Sequence, residues 1–399
     1  MMKVKILLLA FTSCLMYSCI AQQKPWGVRM AETMIKTYPD SIVVKRAGEV
    51  VANRPTRWDY EQGVLLKSFD VLSQHTGDKK YFTYAKKIMD HFVQADGSIR
   101  TYDLLEYNID HITPGRVVLA LYSETKEEKY KKAADLLHEQ LNWQPRTKEG
   151  GFWHKHRYPY QMWLDGLYMG EPFSAEYAMI TNNTKGFDDV INQFVWMEKH
   201  VRDSKTGLLY HAWDESKKQR WADPETGRAP GFWARGMGWY AMALVDVLDY
   251  IPKDHPRRKE LVAILQRLAA ALKNYQDPAS GVWYQVVDKA TTKGNYLEAS
   301  ASAMFVYALA KGSRLGYIDK SYSALAKKGF EGMLKNFIET DADGTVHLVK
   351  TVSVGGLGGI PYRDGSFEYY ISEPLRTDDL KGVGPFIQAS IEIELMTKK

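Results

Sequence analysis

YLEASASAMFVYALAKG, residues 296–312, is the stretch whose reading decides the fold. Small residues alternate with Met, Phe, Val, Tyr and Leu. A helix drawn through it is apolar on more than one side. A helix of that kind is surrounded by other helices. Five more stretches share this character: WDYEQGVLLKSFDVL (58–72), IDHITPGRVVLALYS (109–123), DGLYMGEPFSAEYAMI (165–180), ARGMGWYAMALVDVL (234–248) and GVGPFIQASIEIEL (382–395).

Between them lie helices of another type. KKYFTYAKKIMDHFV (79–93), EEKYKKAADLLHEQL (127–141), GFDDVINQFVWMEKHV (186–201), RRKELVAILQRLAAAL (257–272) and SYSALAKKGFEGMLKNFI (321–338) repeat apolar residues at spacings of three and four, with Lys and Glu on the other face. One side is buried and one is wet. Short turn-plus-extended pieces rich in β-formers follow several of them, at 151–154, 207–211, 281–285 and 344–347. A helical pair of this kind cannot bury its inner face alone, but a ring of pairs can. Six inner helices, five outer ones and an N-terminal helix near 26–38 predict an all-α (α/α)6 barrel with short β-hairpin-like loops at the rim. Residues 22–399 are expected to form it as a single domain.

The composition fits a large globular core: 45% hydrophobic, 25% charged and 13% aromatic over 399 residues. Eleven Trp and 25 Tyr suit ring-shaped ligands as well as core filling. A formal charge of +5 without a dense basic cluster gives no case for nucleic acid. Lys3 and Lys5 followed by the apolar run 6–17 read as an export signal covering residues 1–21. Processing at Cys19 would leave a lipid-anchored protein in the periplasm, and processing after Ala21 a soluble one. Both cysteines, Cys14 and Cys19, lie in this segment, so the mature chain has no disulfide or thiolate metal site.

In a ring of this topology the inner helices run parallel, so the residues preceding each of them meet at one rim. Asp110 and Asp165 both precede inner helices, whose starts are read at Thr113-Pro114 and Glu171-Pro172 because Pro favours the first helical position. Two carboxylates at one mouth are the minimum equipment for sugar chemistry. Arg235, set in GFWARGMGW (231–239), requires an anion partner: Glu176, Asp110 or a substrate carboxylate. His211 has no metal-binding pattern around it. Trp58, Tyr60, Trp163 and Trp233 offer faces for sugar stacking. The stretch VGGLGGIPYRDGSFEYYISEP (354–374) holds five glycines and two prolines, which argues against a helix there. Its aromatic residues and Arg363 suggest a loop folded over the barrel mouth, with Arg363 among the substrate-binding candidates.

At WLDGLYMGEPF, YNIDHITPGR, FWARGMGWY and GGLGGIPYRDGSFEYY the chain resembles the unsaturated rhamnogalacturonyl hydrolases of glycoside hydrolase family 105. The resemblance runs from about Trp26 to the end, and the related family 88 unsaturated glucuronyl hydrolases share the barrel and the aspartate pair. It implies a substrate with a Δ4,5-unsaturated uronic acid at its non-reducing end, made from pectin by a lyase. It implies Asp165 as the acid/base that protonates C4 and activates water for C5, and Asp110 as its assistant. It places His211, Trp233, Arg235 and Trp163 around the unsaturated ring, and calls for no metal or organic cofactor. Protonating carbon requires a carboxyl that holds its proton, and Trp163, Tyr168 and Met169 are the apolar surroundings expected to favour that form. Two other readings stay open from the residues: a hydrolase acting on other uronate-capped glycan fragments, and an exported lipoprotein that binds glycans without turnover.

Overall fold

A computed structural model describes residues 24–43 and 56–397. The export-signal segment lies outside the described residues. Six helices form an inner ring: Tyr60–Thr76, Gly115–Thr125, Leu164–Ile180, Ala234–Tyr250, Ala299–Arg314 and Leu380–Thr397. Each packs on the next in this order, and the last returns to the first, so the ring is closed. Trp26–Thr37, Lys80–Met89, Glu128–Trp143, Thr184–Val201, Arg258–Tyr275 and Tyr322–Phe337 form the outer layer.

The inner helices obey the reading of their sequences. Ala299–Arg314 buries every residue except the terminal Arg314. Close approach around the ring needs small residues. A Cβ on Gly63 would lie 2.7 Å from the backbone of Pro114, and one on Gly384 would lie 2.8 Å from that of Val64. Outer helices show one wet face. Arg258–Tyr275 buries Leu261, Ile264, Leu265, Leu268 and Leu272 and leaves Gln266, Arg267 and Ala270 exposed.

After five of the six outer helices, all but Trp26–Thr37, the chain turns and comes back toward the rim. Four of these turns close through a positive-φ glycine: Gly97, Gly207, Gly281 and Gly344. A fifth, at Thr147–Gly151, does the same through Gly150. The returning pieces pair in short antiparallel ladders, Gln161–Trp163 with Ala212–Asp214 and Ile338–Thr340 with Val346–Leu348.

A repeated hydrogen bond ties the rim together. The N–H of Ile109 donates to His154 O, that of Leu164 to His211 O, that of Ala234 to Gln285 O and that of Ala299 to Lys350 O. Four of the six inner helices are therefore entered against the extended piece of the following repeat. The residue after each donor is Asp110, Asp165, Arg235 or Ser300.

Two sequence expectations need correction. Pro172 does not start the third inner helix, which begins at Leu164 and carries Pro172 in its interior. Asp165 thus sits in the first turn rather than before the helix. A proline removes one ladder hydrogen bond, and a helix buried over nearly its whole length is held by packing instead; Leu380–Thr397 likewise contains Pro385. The stretch 354–374 does contain a helix, Phe367–Ser372. Its five glycines all lie at or before Gly365, and Ser366 caps the helix by accepting from the Tyr369 N–H.

Candidate active site

The rim repeat creates two consecutive Asp–His pairs. Asp110 lies in the 3-10 turn Ile109–Ile112, where Asn108 accepts from its N–H. Its Oδ1 is 3.3 Å from His154 Nε2, and its Oδ2 accepts from the Lys155 ammonium. Burial alone would raise the Asp110 carboxyl, but Lys155 and His154 outweigh it and hold it down at about 2. Burial also lowers His154 to about 4, against the pull of Asp110. At neutral pH this pair is an ionised carboxylate beside a neutral imidazole.

The second pair is built differently. Asp165 Oδ2 lies 3.2 Å from His211 Nε2, but the two are not aligned as a hydrogen bond, and both atoms are buried without a hydrogen-bond partner. The other ring nitrogen, Nδ1, is 2.8 Å from the Tyr370 hydroxyl. Burial pushes the Tyr370 phenol well above its ordinary value, so it keeps its proton. If the hydroxyl donates to Nδ1, Nε2 carries the N–H that faces Asp165.

The loop over the mouth is thus anchored in the site. Gln285 donates to Tyr370 O, and the Gly356 N–H donates to the Tyr369 hydroxyl. Trp233 stacks parallel to Tyr370 and sits 4.6 Å from the His211 ring. Trp163 lies parallel to His154 at 4.8 Å and to Tyr158 at 5.0 Å, and meets His211 edge-on.

The sequence candidates occupy distinct places. Asp110, Asp165, His211, Trp163 and Trp233 come together. Arg235 joins them at one remove: only 1% exposed, it donates to Ser300 Oγ and Val352 O and lies against the Trp233 ring. Neither Glu176 nor Asp110 is its partner; Glu176 lies within the charge of Lys67 and Arg116. Its Nε is buried without a partner. Trp58 is 1% exposed and donates to His111 O, so it buttresses the Asp110 turn and offers no face for a sugar. Tyr60 is half-buried and lines a cleft of about 360 Å³ with Asp59, Asp110, Lys155 and Arg157. Arg363 donates to Gly358 O and to the Tyr158 hydroxyl, at the edge of a second cleft of about 1160 Å³ under the loop. Arg157 lines both clefts.

Tyr168 and Met169 do not surround the Asp165 carboxyl in the way the sequence suggested. Tyr168 stacks on Trp239, and Met169 Sδ accepts from the Thr113 hydroxyl. The charged and polar neighbours His154, Lys155 and Tyr370 were missed as site residues. The equivalence of GFWH (151–154) and GLLYH (207–211) as returning pieces was a usable signal for His154: both end in His at the same place in the repeat.

This rim has counterparts in other proteins. The model of Glycosyl Hydrolase Family 88 matches residues 26–397. A solved glycoside hydrolase from family 105 of C. acetobutylicum ATCC 824 superposes with a TM-score of 0.88 at 46% identity, covering 93% of this chain and 100% of that one. The chain belongs to glycoside hydrolase family 105. Among curated relatives of this family 105 member, Protein Atu3128 of Agrobacterium fabrum is 41% identical over 236 residues, 58% of this chain and 100% of that protein. The unsaturated rhamnogalacturonyl hydrolase YesR of Bacillus subtilis is 28% identical over 276 residues, 67% of this chain and 75% of YesR.

Proposed function

We infer that this family 105 hydrolase removes a Δ4,5-unsaturated uronic acid from the non-reducing end of lyase-generated oligosaccharides, with rhamnogalacturonan fragments as the preferred class. The observation that carries this reading is the contrast between the two aspartates. Asp110 is tied to Lys155 and His154 as a fixed anion. Asp165 keeps an oxygen with no hydrogen-bond partner, opposite a histidine whose orientation is set by the mouth loop. A fixed anion orients and stabilises; a carboxyl with a free oxygen transfers protons.

The chemistry runs as follows. Asp165 gives a proton to C4 of the C4=C5 vinyl ether, and positive charge develops at C5 and the ring oxygen. Asp165 then takes a proton from water as its oxygen bonds to C5. The resulting hemiketal opens to a C5 ketone and leaves a hemiacetal at C1. That hemiacetal collapses to an aldehyde and releases the next sugar, so the glycosidic bond is broken without direct attack. Asp110 and the developing positive charge attract, which favours the transition state over the ground state. Tyr60, at the cleft wall beside Asp110, offers part-exposed aromatic surface to the sugar ring. The basic, apolar start of the chain supports export to the periplasm, where lyase products are met.

The test is a panel of lyase-generated oligosaccharides followed by ultraviolet absorbance of the double bond. Rhamnogalacturonan fragments should lose that absorbance fastest and release the saturated 4-deoxy-5-keto uronate together with the shortened sugar. Equal inertness of every pectic fragment would refute the substrate assignment, and a gain of absorbance would indicate a lyase.

A further inference from the structure

The outer cleft under the mouth loop has a charge pattern that hydration of one unsaturated ring does not use. Three arginines face it or pack on its lining. Arg157 lies with its guanidinium 5.3 Å from the Tyr158 ring centre, and Arg220 with its own 4.3 Å from that of Tyr362. Arg363 reaches only neutral acceptors, Gly358 O and the Tyr158 hydroxyl. Three arginines outside the cleft, Arg146, Arg267 and Arg314, by contrast each meet a carboxylate within 3 Å. Among the described residues no carboxylate pairs with Arg157, Arg220 or Arg363. The single carboxylate lining the cleft, Glu373, is engaged with the Tyr369 hydroxyl.

An arginine held over a tyrosine ring is oriented in advance and can keep N–H groups free for an anion. Such edges match a planar carboxylate or the oxygens of a sulfate ester. The cleft adjoins the one that holds Asp110, with Arg157 lining both. A chain whose first ring lies at Asp110 and Asp165 therefore runs outward past Arg157 and under Tyr362.

We propose that this cleft recognises a second anionic group on the substrate, carried by the sugars beyond the unsaturated uronate and held by Arg157 and Arg220. The proposal rests on the hydrolase reading above. It makes the enzyme selective for fragments of acidic polysaccharides with repeated charge, as opposed to a single uronate cap on a neutral chain.

The test uses the full chain and three substrates, all capped by the unsaturated uronate. One continues in neutral sugars, one carries a further uronate carboxylate, and one carries a sulfate ester. The wild type should prefer at least one anionic substrate by about tenfold in kcat/KM, the worth of a charge-assisted hydrogen bond. Whether carboxylate or sulfate gives the gain identifies the source. Arg157→Ala and Arg220→Ala should each cut that preference roughly fivefold, and added salt should erode it in the wild type, as expected for exposed charges. Arg157→Lys should restore part of it. Equal kcat/KM for neutral and anionic substrates would overturn the proposal. So would variants that lower all three substrates by one common factor, since that is the mark of a structural role. If the wild type hydrates none of the three, the hydrolase reading itself fails and takes this proposal with it.

Discussion

The Tyr370 hydroxyl lies 2.8 Å from Nδ1 of His211, joining residues 159 positions apart in the chain. Through this contact the mouth loop controls which nitrogen of His211 faces Asp165. Tyr370→Phe keeps the ring that stacks on Trp233 but removes the donor. Activity should fall about tenfold to a hundredfold, the usual effect of losing an orienting partner. The fall should lie in kcat, with KM and thermal midpoint close to wild type. An unchanged kcat would reduce Tyr370 to a packing residue.

Lys155 is the charge that keeps Asp110 ionised. In Lys155→Met the burial of Asp110 is no longer opposed by an adjacent ammonium, so its carboxyl shifts upward from about 2. The proton then binds at higher pH, and the acid limb of kcat/KM moves toward neutral. The expected result is a loss at pH 5 several times larger than at pH 7.5. A pH profile parallel to wild type would show that Asp110 ionisation does not control the rate.

His154 carries a stability signature. Its pKa is lowered by burial from 6.5 to about 4, so between those values the unfolded chain binds a proton that the folded chain does not. Stability is therefore lost as pH falls from about 6.5 to about 4, by about 3 kcal/mol for this group. Asp110 works in the same direction at lower pH, its contribution fading between about 4 and 2. Urea unfolding at pH 7.5 and pH 5 should show a smaller loss for His154→Gln than for wild type. Equal losses would remove His154 from the pH response.

Far from the rim, Asp246 collects Arg116, Lys311 and the Tyr307 hydroxyl inside the barrel. Burial pushes its carboxyl up, but Lys311 and Arg116 bring it down to about 2. Removing one member of a buried network leaves the others uncompensated, at about 3–5 kcal/mol. Asp246→Ala should lower the free energy of unfolding measured in urea by that amount while kcat per folded molecule stays near wild type. A free energy within about 0.5 kcal/mol of wild type would mean that water replaces the carboxylate.

The barrel was legible because two kinds of periodicity carry it. Residues 296–312 are apolar all round and 257–272 are apolar on one face, and that difference alone assigns inner and outer layers. The aspartate pair was legible once the repeat placed both residues at helix entries. What the sequence did not show depends on contacts between distant segments. Tyr370 reaches His211 only because the mouth loop folds back, and Lys155 meets Asp110 only because a returning piece from the next repeat passes beside it. Pro172 misled for a physical reason: proline signals a helix start when the helix is held by its own hydrogen bonds, whereas Leu164–Ile180 is held by its neighbours.

In the proposed reaction Asp165 transfers the proton. The direct measurement of that transfer is the rate of double-bond absorbance loss by Asp165→Asn on a substrate that the wild type consumes, together with binding of the same substrate by calorimetry. Asparagine preserves shape but cannot give a proton to carbon. The rate should fall about a thousandfold or more, with affinity within a few-fold of wild type. An Asp165→Asn enzyme that keeps most of its activity would contradict the account.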